Sequence, residues 1–234
     1  MKKINTILAA VSALLMLTVT SANSLEFKGG VSANTMVAYA NAKETLKGTA
    51  SATQGTGRTT NEEAVLATSF ASVFAELSSE GLMGMGIGIS YAPELVDLEK
   101  ETRVIQESAT GDSGTQIIDG KIEDYLGVYF TLPIMDTGAY VKAGYIQATL
   151  NTTENLATGS KYENVDMTGF NYGAGYEGSI GEMAFWRAEG SYQVWDDLSA
   201  SGSEANISGS DNTKNKITAE LGSVTGSLSV GVKF

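Results

Sequence analysis

The chain ends in Gly226-Ser227-Leu228-Ser229-Val230-Gly231-Val232-Lys233-Phe234, where bulky apolar residues alternate with small or polar ones. A period of two predicts a β-strand with one apolar face. Because no strand follows it in the sequence, one edge of this strand has to be paired or covered. In a membrane, a sheet loses its free edges by closing into a barrel. We therefore predict that Leu228, Val230, Val232 and Phe234 face outward on a strand that closes a barrel against the first strand.

The beginning of the sequence has the pattern of an exported protein. Lys2 and Lys3 precede an apolar run from Ile7 to Val19, and small residues follow the run. This order is typical of a cleaved secretory signal. The run is shorter than the roughly 17 residues that a membrane-spanning helix needs, which disfavours a retained anchor. We expect residues 1–24 to be a signal peptide and residues 25–234 to be the mature domain.

The composition excludes several classes of function. With 27 Asp and Glu residues against 15 Lys and Arg, the net charge is −12, so nucleic acid is an unfavourable partner. The chain has no Cys and no His. It therefore lacks thiolates and the imidazole that most hydrolytic triads and zinc sites use. We expect no cofactor, no metal site and no enzymatic activity, although a Lys or carboxylate base beside a Ser stays compatible with the sequence.

Eight segments of the mature chain show the two-residue period of strands. They are Leu25–Tyr39, Ala64–Leu77, Leu82–Ala92, Glu123–Ile134, Ala139–Leu150, Thr168–Glu177, Met183–Asp196 and the final strand, which starts as early as Lys214 if a register irregularity near Gly222–Gly226 is allowed. Each segment reaches the roughly 9 to 11 residues that a tilted strand needs to cross hydrocarbon.

The connections between these segments alternate in length. Short connections fall at 78–81, 135–138 and 178–182, and long ones at 41–62, 93–121, 151–166 and 197–213. Short and long connections thus lie at opposite ends of the sheet, as in transmembrane barrels. The stretch from Glu94 to Glu123 carries eight acidic and three basic residues. We expect it to be a solvated loop that its own charge keeps extended, with coordination of Ca²⁺ as the alternative.

With its terminal Phe, its signal-like start and its alternating connections, the mature chain resembles small bacterial outer-membrane barrels of the outer-membrane protein A or opacity-protein type over essentially its whole length. The resemblance implies an all-β fold, an eight-stranded antiparallel up-and-down barrel in the outer membrane, with short periplasmic turns and long extracellular loops. It also implies outer-membrane lipids and the outer-membrane assembly machinery as partners. We expect a monomer.

From these features we expect an integral outer-membrane barrel that anchors polar, mostly acidic loops at the cell surface, where they bind a cell-surface ligand, cations or envelope components. A porin-like channel for passive passage of small solutes or ions is the alternative function.

A soluble lipocalin-like barrel is the alternative fold, because it also has eight antiparallel strands but turns its apolar face inward. The small residues that alternate with Met83, Met85, Ile87 and Ile89 favour a narrow lumen over a solvated exterior. We expect six aromatic residues near strand ends to form girdles at the two membrane interfaces: Tyr39, Tyr91, Tyr125, Tyr140, Tyr176 and Trp186.

Seven charged residues fall on the face predicted to line the lumen. They are Lys28, Glu76, Lys142, Glu177, Arg187, Glu189 and Lys233. Because an unpaired charge in so narrow a space is costly, we expect salt bridges that link Arg187 and Lys142 to Glu189 or Glu177. The structural interpretation of this set is a polar plug. The functional interpretation is a gate that opens when the ions exchange partners.

The run from Gly173 to Gly178 has the glycine spacing of a dinucleotide-binding fingerprint. That fingerprint binds pyrophosphate at the N-terminus of a helix that follows it. Here a short turn and another strand follow, so we expect these glycines to face the lumen and to bind no nucleotide.

Overall fold

A computed structural model of the chain describes residues 25–46, 58–79, 83–106, 113–155, 162–205 and 214–234, and the expected signal peptide lies outside these residues. Nearly all of them are in β-strands. The strands are β1 (Leu25–Leu46), β2 (Arg58–Ser79), β3 (Gly86–Gln106), β4 (Ser113–Pro133), β5 (Ala139–Asn155), β6 (Val165–Ile180), β7 (Ala184–Trp195), β8 (Leu198–Ala205) and β9 (Lys214–Lys233). No helix in the described part of the chain is long and apolar enough to cross a membrane.

The strands form one antiparallel sheet that closes on itself. Sequential strands pair from β1 to β7, β9 pairs with β7, and β1 pairs with β9. The short strand β8 continues the line of β7 along the same edge of β9, because Val194 pairs with Gly222 and Leu198 pairs with Ala219. The pair β7 and β8 thus acts as one wall strand, interrupted at Asp196 and Asp197. The predicted eight-stranded antiparallel barrel is confirmed.

The barrel closes along the ladder between β1 and β9. Their register runs from Lys28 opposite Lys233 to Thr45 opposite Lys216 without a shift. The expected irregularity near Gly222–Gly226 is therefore wrong. Gly222 breaks the apolar pattern of the sequence because the ring of Tyr39 on β1 covers it, so that a Cβ at residue 222 would collide with that ring.

The two faces of the barrel have opposite chemistry. Bulky apolar residues such as Val31, Phe170 and Leu228 are exposed on the outside, whereas Arg187 and Gln193 are buried on the inside. A soluble barrel would show the reverse arrangement, so the lipocalin-like alternative is excluded. The apolar exterior belongs in hydrocarbon, and the barrel spans a membrane.

Two of the six aromatic residues expected in the interfacial girdles lie inside the barrel instead. Tyr125 and Tyr140 are buried in the lumen, whereas Tyr39, Tyr91, Tyr176 and Trp186 are exposed on the outside. The lumen accepts a large ring where a facing residue has no side chain. A Cβ on Gly175, for example, would lie 2.6 Å from the ring of Tyr140. The expectation for these two tyrosines was therefore wrong.

The strands continue past the apolar band into residues expected to form loops. β1 runs to Leu46, β3 runs to Gln106, and β4 already starts at Ser113. Parts of the long connections are thus strands, and β3 and β4 form an extended antiparallel hairpin within residues 93–121, so these strands are longer than the two-residue pattern predicted. Backbone pairing needs no apolar face once the strands leave the bilayer, and for that reason the two-residue pattern missed the extensions.

One junction of the barrel wall is paired over part of its length. β2 and β3 pair from Val73 opposite Tyr91 down to Ser78 opposite Gly86. Farther from the short turns, the described residues of β2 pair with β1 and those of β3 pair with β4, and the two strands have no register with each other. A register shift between Glu94 and Val96 turns β3 inward. We call residues 64–72 of β2 and residues 92–96 of β3 the β2–β3 seam.

Leu228 lies near the middle of the apolar band, since β9 runs from Phe234 at the end with the short turns to Glu220 at the polar boundary. We expect Leu228→Arg to lower the free energy of unfolding by about 2 to 4 kcal/mol, because it places a charge near the bilayer midplane. The matched variant Glu220→Arg, on the same face, should cost about 1 kcal/mol or less. Urea unfolding of refolded protein in phospholipid vesicles measures both values. Equal losses from the two variants would contradict the assigned facing.

Candidate functional site

The lumen contains a cluster of paired charges in the half nearer the short turns, which we call the ion layer. Its centre is Arg187 on β7. Arg187 Nη1 and Nη2 donate to Glu76 Oε2 and Oε1 on β2 at 3.0 and 2.7 Å, and Arg187 Nε donates to Glu177 Oε2 on β6 at 2.7 Å. The side chains of Arg187 and Glu76 are only 7% and 2% exposed. The planar guanidinium thus ties three strands of the wall together through bidentate and single charge-assisted bonds.

Lys28 on β1 extends this layer towards the end of the barrel with the short turns. Its Nζ lies 2.8 Å from Glu177 Oε1 and 3.1 Å from Glu26 Oε1. Lys233 is more remote, with its Nζ 4.0 Å from Glu26 Oε2. Glu26 was not among the predicted lumen charges, although it stands two residues before Lys28 and shares its inward face.

A second pair joins Lys142 on β5 to Glu189 on β7. Lys142 Nζ donates to Glu189 Oε1 at 2.8 Å, and the hydroxyl of Tyr140 donates to Glu189 Oε2 at 2.9 Å. The Lys142 ammonium also lies 4.3 Å from the centre of the Tyr129 ring. The carboxylate of Glu189 is therefore held by two donors, and the ammonium of Lys142 by a carboxylate and an aromatic face.

Aromatic rings surround the central arginine. The guanidinium carbon of Arg187 lies 5.1 to 5.3 Å from the ring centres of Phe74, Tyr140 and Phe185. Phe185 is completely buried. Sequence reasoning missed its role, although Phe185 stands two residues before Arg187 and so had to share its inward face.

The arrangement brings Arg187 to Glu177 and Lys142 to Glu189, and it leaves Lys233 at the edge of the network. The bond between Arg187 and Glu76 crosses the lumen between non-neighbouring strands, and no sequence pattern indicated it. Arg187, Lys28 and Lys142 balance Glu76, Glu177 and Glu189, so the layer is electrically neutral. It fills the lower lumen with mutually satisfied ions.

Above the ion layer lies a small polar chamber of about 50 Å³. Ser32, Asn34, Asn171 and Thr225 contribute to its lining. The buried atoms Asn171 Oδ1 and Thr225 Oγ1 have no hydrogen-bond partner among the described residues. Since about 10 to 15 Å³ of such space holds one water, the chamber is polar and large enough for a small water cluster.

Above the chamber the lumen is filled by apolar side chains, which we call the apolar cluster. Its buried members are Met36, Ala92, Leu95, Val96, Tyr125, Ile146, Ala148, Met167 and Trp195. Leu95 and Val96 are adjacent in sequence, and both point inward because of the register shift in β3. We expected small residues and ions throughout the lumen, so this cluster was missed. The sequence did indicate the cluster, because the two-residue period places the large apolar residues Met36, Ile146 and Trp195 on the inward face of their strands.

The other residues singled out in the sequence have ordinary places in the barrel. Gly173–Gly178 lies within β6 and precedes a turn into another strand. In the acidic stretch, Lys121 Nζ lies 2.9 Å from Asp97 Oδ2 and 3.7 Å from Glu94 Oε2. Within the described residues, no group of three or more acidic side chains is arranged to hold a metal ion.

The terminal residues Leu228, Val230, Val232 and Phe234 all face outward and are exposed. Phe27 and Phe234 exchange two backbone hydrogen bonds, with N–O distances of 3.0 and 2.9 Å. The last residue of the chain is therefore part of the closing ladder, and its ring lies on the lipid-facing surface.

Solved structures with a similar fold are outer-membrane barrels. The outer membrane protein OprG from Pseudomonas aeruginosa has a TM-score of 0.50 at 13% identity, covering 91% of this chain and 97% of its own. The outer membrane protease OmpT from Escherichia coli has a TM-score of 0.45 at 13% identity, covering 92% and 100%. The sequence matches no family model and no curated protein. The likeness to OprG shows the fold of a bacterial outer-membrane barrel, and the lipid-facing band makes the chain an integral protein of that membrane.

Removing Arg187 should destabilise the barrel strongly, because Glu76 then stays buried without a counter-charge. We expect Arg187→Met to lower the free energy of unfolding by about 3 to 5 kcal/mol. The double variant Arg187→Met, Glu76→Met should recover a large part of this loss, since it buries no unpaired carboxylate at residue 76. Urea unfolding of both variants and of Glu76→Met in vesicles completes the cycle. Additive effects of the two substitutions would contradict direct coupling between these side chains.

Proposed function

We propose that the protein is a closed outer-membrane anchor that presents acidic β-hairpins at the cell surface to cationic groups of a partner. The observation that carries this proposal is the filling of the lumen at two levels. The ion layer closes the lower half with paired charges, and the apolar cluster fills the upper half. A barrel filled in this way provides rigid support for what projects from it.

The hairpins supply the interaction surface. β3 and β4 pair from Asp97 opposite Lys121 to Gln106 opposite Ser113, beyond the apolar band. This hairpin belongs to the stretch from Glu94 to Glu123, in which acidic residues outnumber basic ones. Because the surrounding surface is aqueous, such a charge attracts cationic partners over about one Debye length, roughly 8 to 10 Å at physiological salt.

The ion layer supports the plug interpretation. Each of its charges has a partner within hydrogen-bond distance, and Arg187 has three charge-assisted bonds. Opening a water path through it would break several such bonds at once in a site from which water is largely excluded. The apolar cluster above would still oppose the passage of ions. A porin-like channel for hydrated solutes is therefore the weaker hypothesis.

The β2–β3 seam favours a second candidate function, which is exchange of small apolar solutes between the apolar cluster and the membrane. Ser72 to Ala64 of β2 lie within the apolar band, and above Val73 this strand has no register with β3. Thr68 Oγ1 donates to the Leu95 carbonyl across the seam at 3.4 Å. At the seam, no continuous backbone ladder separates the apolar cluster from the lipid outside the barrel. Side chains form the barrier there.

The primary proposal predicts that binding to a polycation depends on the β3–β4 hairpin. Replacing residues 98–120 by Asn-Gly, a two-residue hairpin turn, should abolish adhesion of expressing cells to a polylysine surface while the barrel stays folded. In the matched control the hairpin keeps its length, but Glu99, Glu101, Glu107, Asp112 and Asp119 become amides, and adhesion should fall as well. Unchanged adhesion in both variants would overturn the proposal, as would stepwise ion currents of the refolded protein in planar bilayers.

The second candidate predicts that a small apolar quencher reaches Trp195 in the apolar cluster. In the variant Trp186→Phe, Trp195 is the remaining tryptophan of the mature domain. Bromohexane added to vesicles should then quench the fluorescence of Trp195. The variant Trp195→Phe is the control, because the exposed Trp186 faces lipid and has to be quenched. Quenching of Trp186 without quenching of Trp195 would exclude exchange through the seam.

A further inference from the structure

Each of the three short turns carries an exposed methionine. Met83 lies between β2 and β3, Met135 between β4 and β5, and Met183 between β6 and β7, and they are 79%, 87% and 62% exposed. By contrast, Met36 and Met167 are buried in the lumen. We call Met83, Met135 and Met183 the methionine crown. It lies at the end of the barrel that also holds Leu25 and Phe234, which is the periplasmic end.

Two of these methionines occupy a backbone conformation that does not suit them. Met83 has φ of 55° and Met135 has φ of 51°. In this left-handed region glycine and asparagine are favoured, and other side chains add strain. A turn that only had to reverse the chain would be more stable with Asn or Gly at these positions. The two methionine side chains thus occur where the backbone disfavours them, and an interaction outside the isolated chain is a reason for their presence.

Two members of the crown adjoin the lipid-facing surface. Ile134 precedes Met135, and Ile180 precedes the turn of Met183, and both isoleucines are exposed on the outer face. Phe234 is exposed at the same end. Gly84, next to Met83, lies against the end of β4, since a Cβ on it would lie 2.9 Å from Pro133 Cγ.

Beside two members of the crown stand exposed carboxylates, Asp136 and Glu182. A turn that combines a long apolar side chain with an adjacent charge suits the boundary between acyl chains and water. The unbranched thioether of methionine also adapts to a disordered environment better than a β-branched side chain does.

We propose that the methionine crown inserts into the inner leaflet of the outer membrane, at the boundary between phospholipid headgroups and acyl chains, and fixes the depth at which the barrel sits. The occupant of this surface is lipid, because Met135 and Met183 adjoin exposed isoleucines of the lipid-facing band. Asp136 and Glu182 remain on the aqueous side. This assignment is independent of what the extracellular hairpins bind.

The test is the triple variant Met83→Asn, Met135→Asn, Met183→Asn of the mature chain. Asparagine tolerates the left-handed backbone, so in detergent micelles the variant should unfold at the same urea concentration as the wild type or at a higher one. In vesicles of phosphatidylcholine it should unfold at a lower concentration and insert more slowly, because the apolar contacts with lipid are lost. The control Asp136→Asn, Glu182→Gln changes the two turns that hold Met135 and Met183, and it should behave as the wild type in both media.

A depth measurement separates lipid contact from a purely structural effect. In the background Trp186→Phe, Trp195→Phe, the reporter Met135→Trp should be quenched by phosphatidylcholine brominated near the headgroup more than by lipid brominated near the acyl terminus. Equal urea midpoints of the triple variant and the wild type in vesicles would overturn the proposal. So would a reporter that is quenched by aqueous acrylamide and not by brominated lipid, which would place the crown in the periplasm.

Discussion

The structure depends on the requirement that backbone N–H and C=O groups within hydrocarbon find partners inside the protein. The closing ladder between β1 and β9 satisfies this requirement at the last open edge of the sheet. The ladder extends to the last residue through the two hydrogen bonds between Phe27 and Phe234. Closure at this junction fixes the phase of every strand, because a slip of one residue would exchange the two faces. The outward apolar band and the inward charges are therefore both consequences of the same register.

Because the lumen is narrow, the inward-facing side chains pack in three layers along the barrel axis. Arg187, Glu76 and Glu177 meet near the end with the short turns, the polar chamber lies above them, and the apolar cluster fills the opposite end. Gly88 and Gly175 let Tyr129 and Tyr140 occupy space that side chains would otherwise fill. Along the β2–β3 seam the described strands lack a backbone ladder, and the seam lies where Leu95 and Val96 turn into the lumen. The wall beside the apolar cluster is thus held at the seam by side-chain contacts and not by a continuous ladder.

The two-residue period was sufficient to predict the eight-stranded barrel and the outward facing of its apolar residues. It could not identify the bond between Arg187 and Glu76, because which residues meet across a lumen depends on the stagger of distant strands. Tyr125 and Tyr140 were also misplaced. Their position near strand ends suggested an interfacial girdle, although the two-residue period puts both on the inward face. The strand extensions beyond the bilayer were missed because polar hairpins pair through their backbones and need no apolar alternation.

Amide hydrogen exchange of the refolded protein in phospholipid vesicles tests closure most directly. Within the band, Val31 to Val37 of β1 and Val224 to Val230 of β9 belong to the closing ladder. In a closed barrel their amides exchange as slowly as those of Val141 to Ile146 on β5, which pair with β4 and β6 without a register shift. Fast exchange at β1 and β9, with protection kept on β5, would show an open sheet and would contradict the closed barrel.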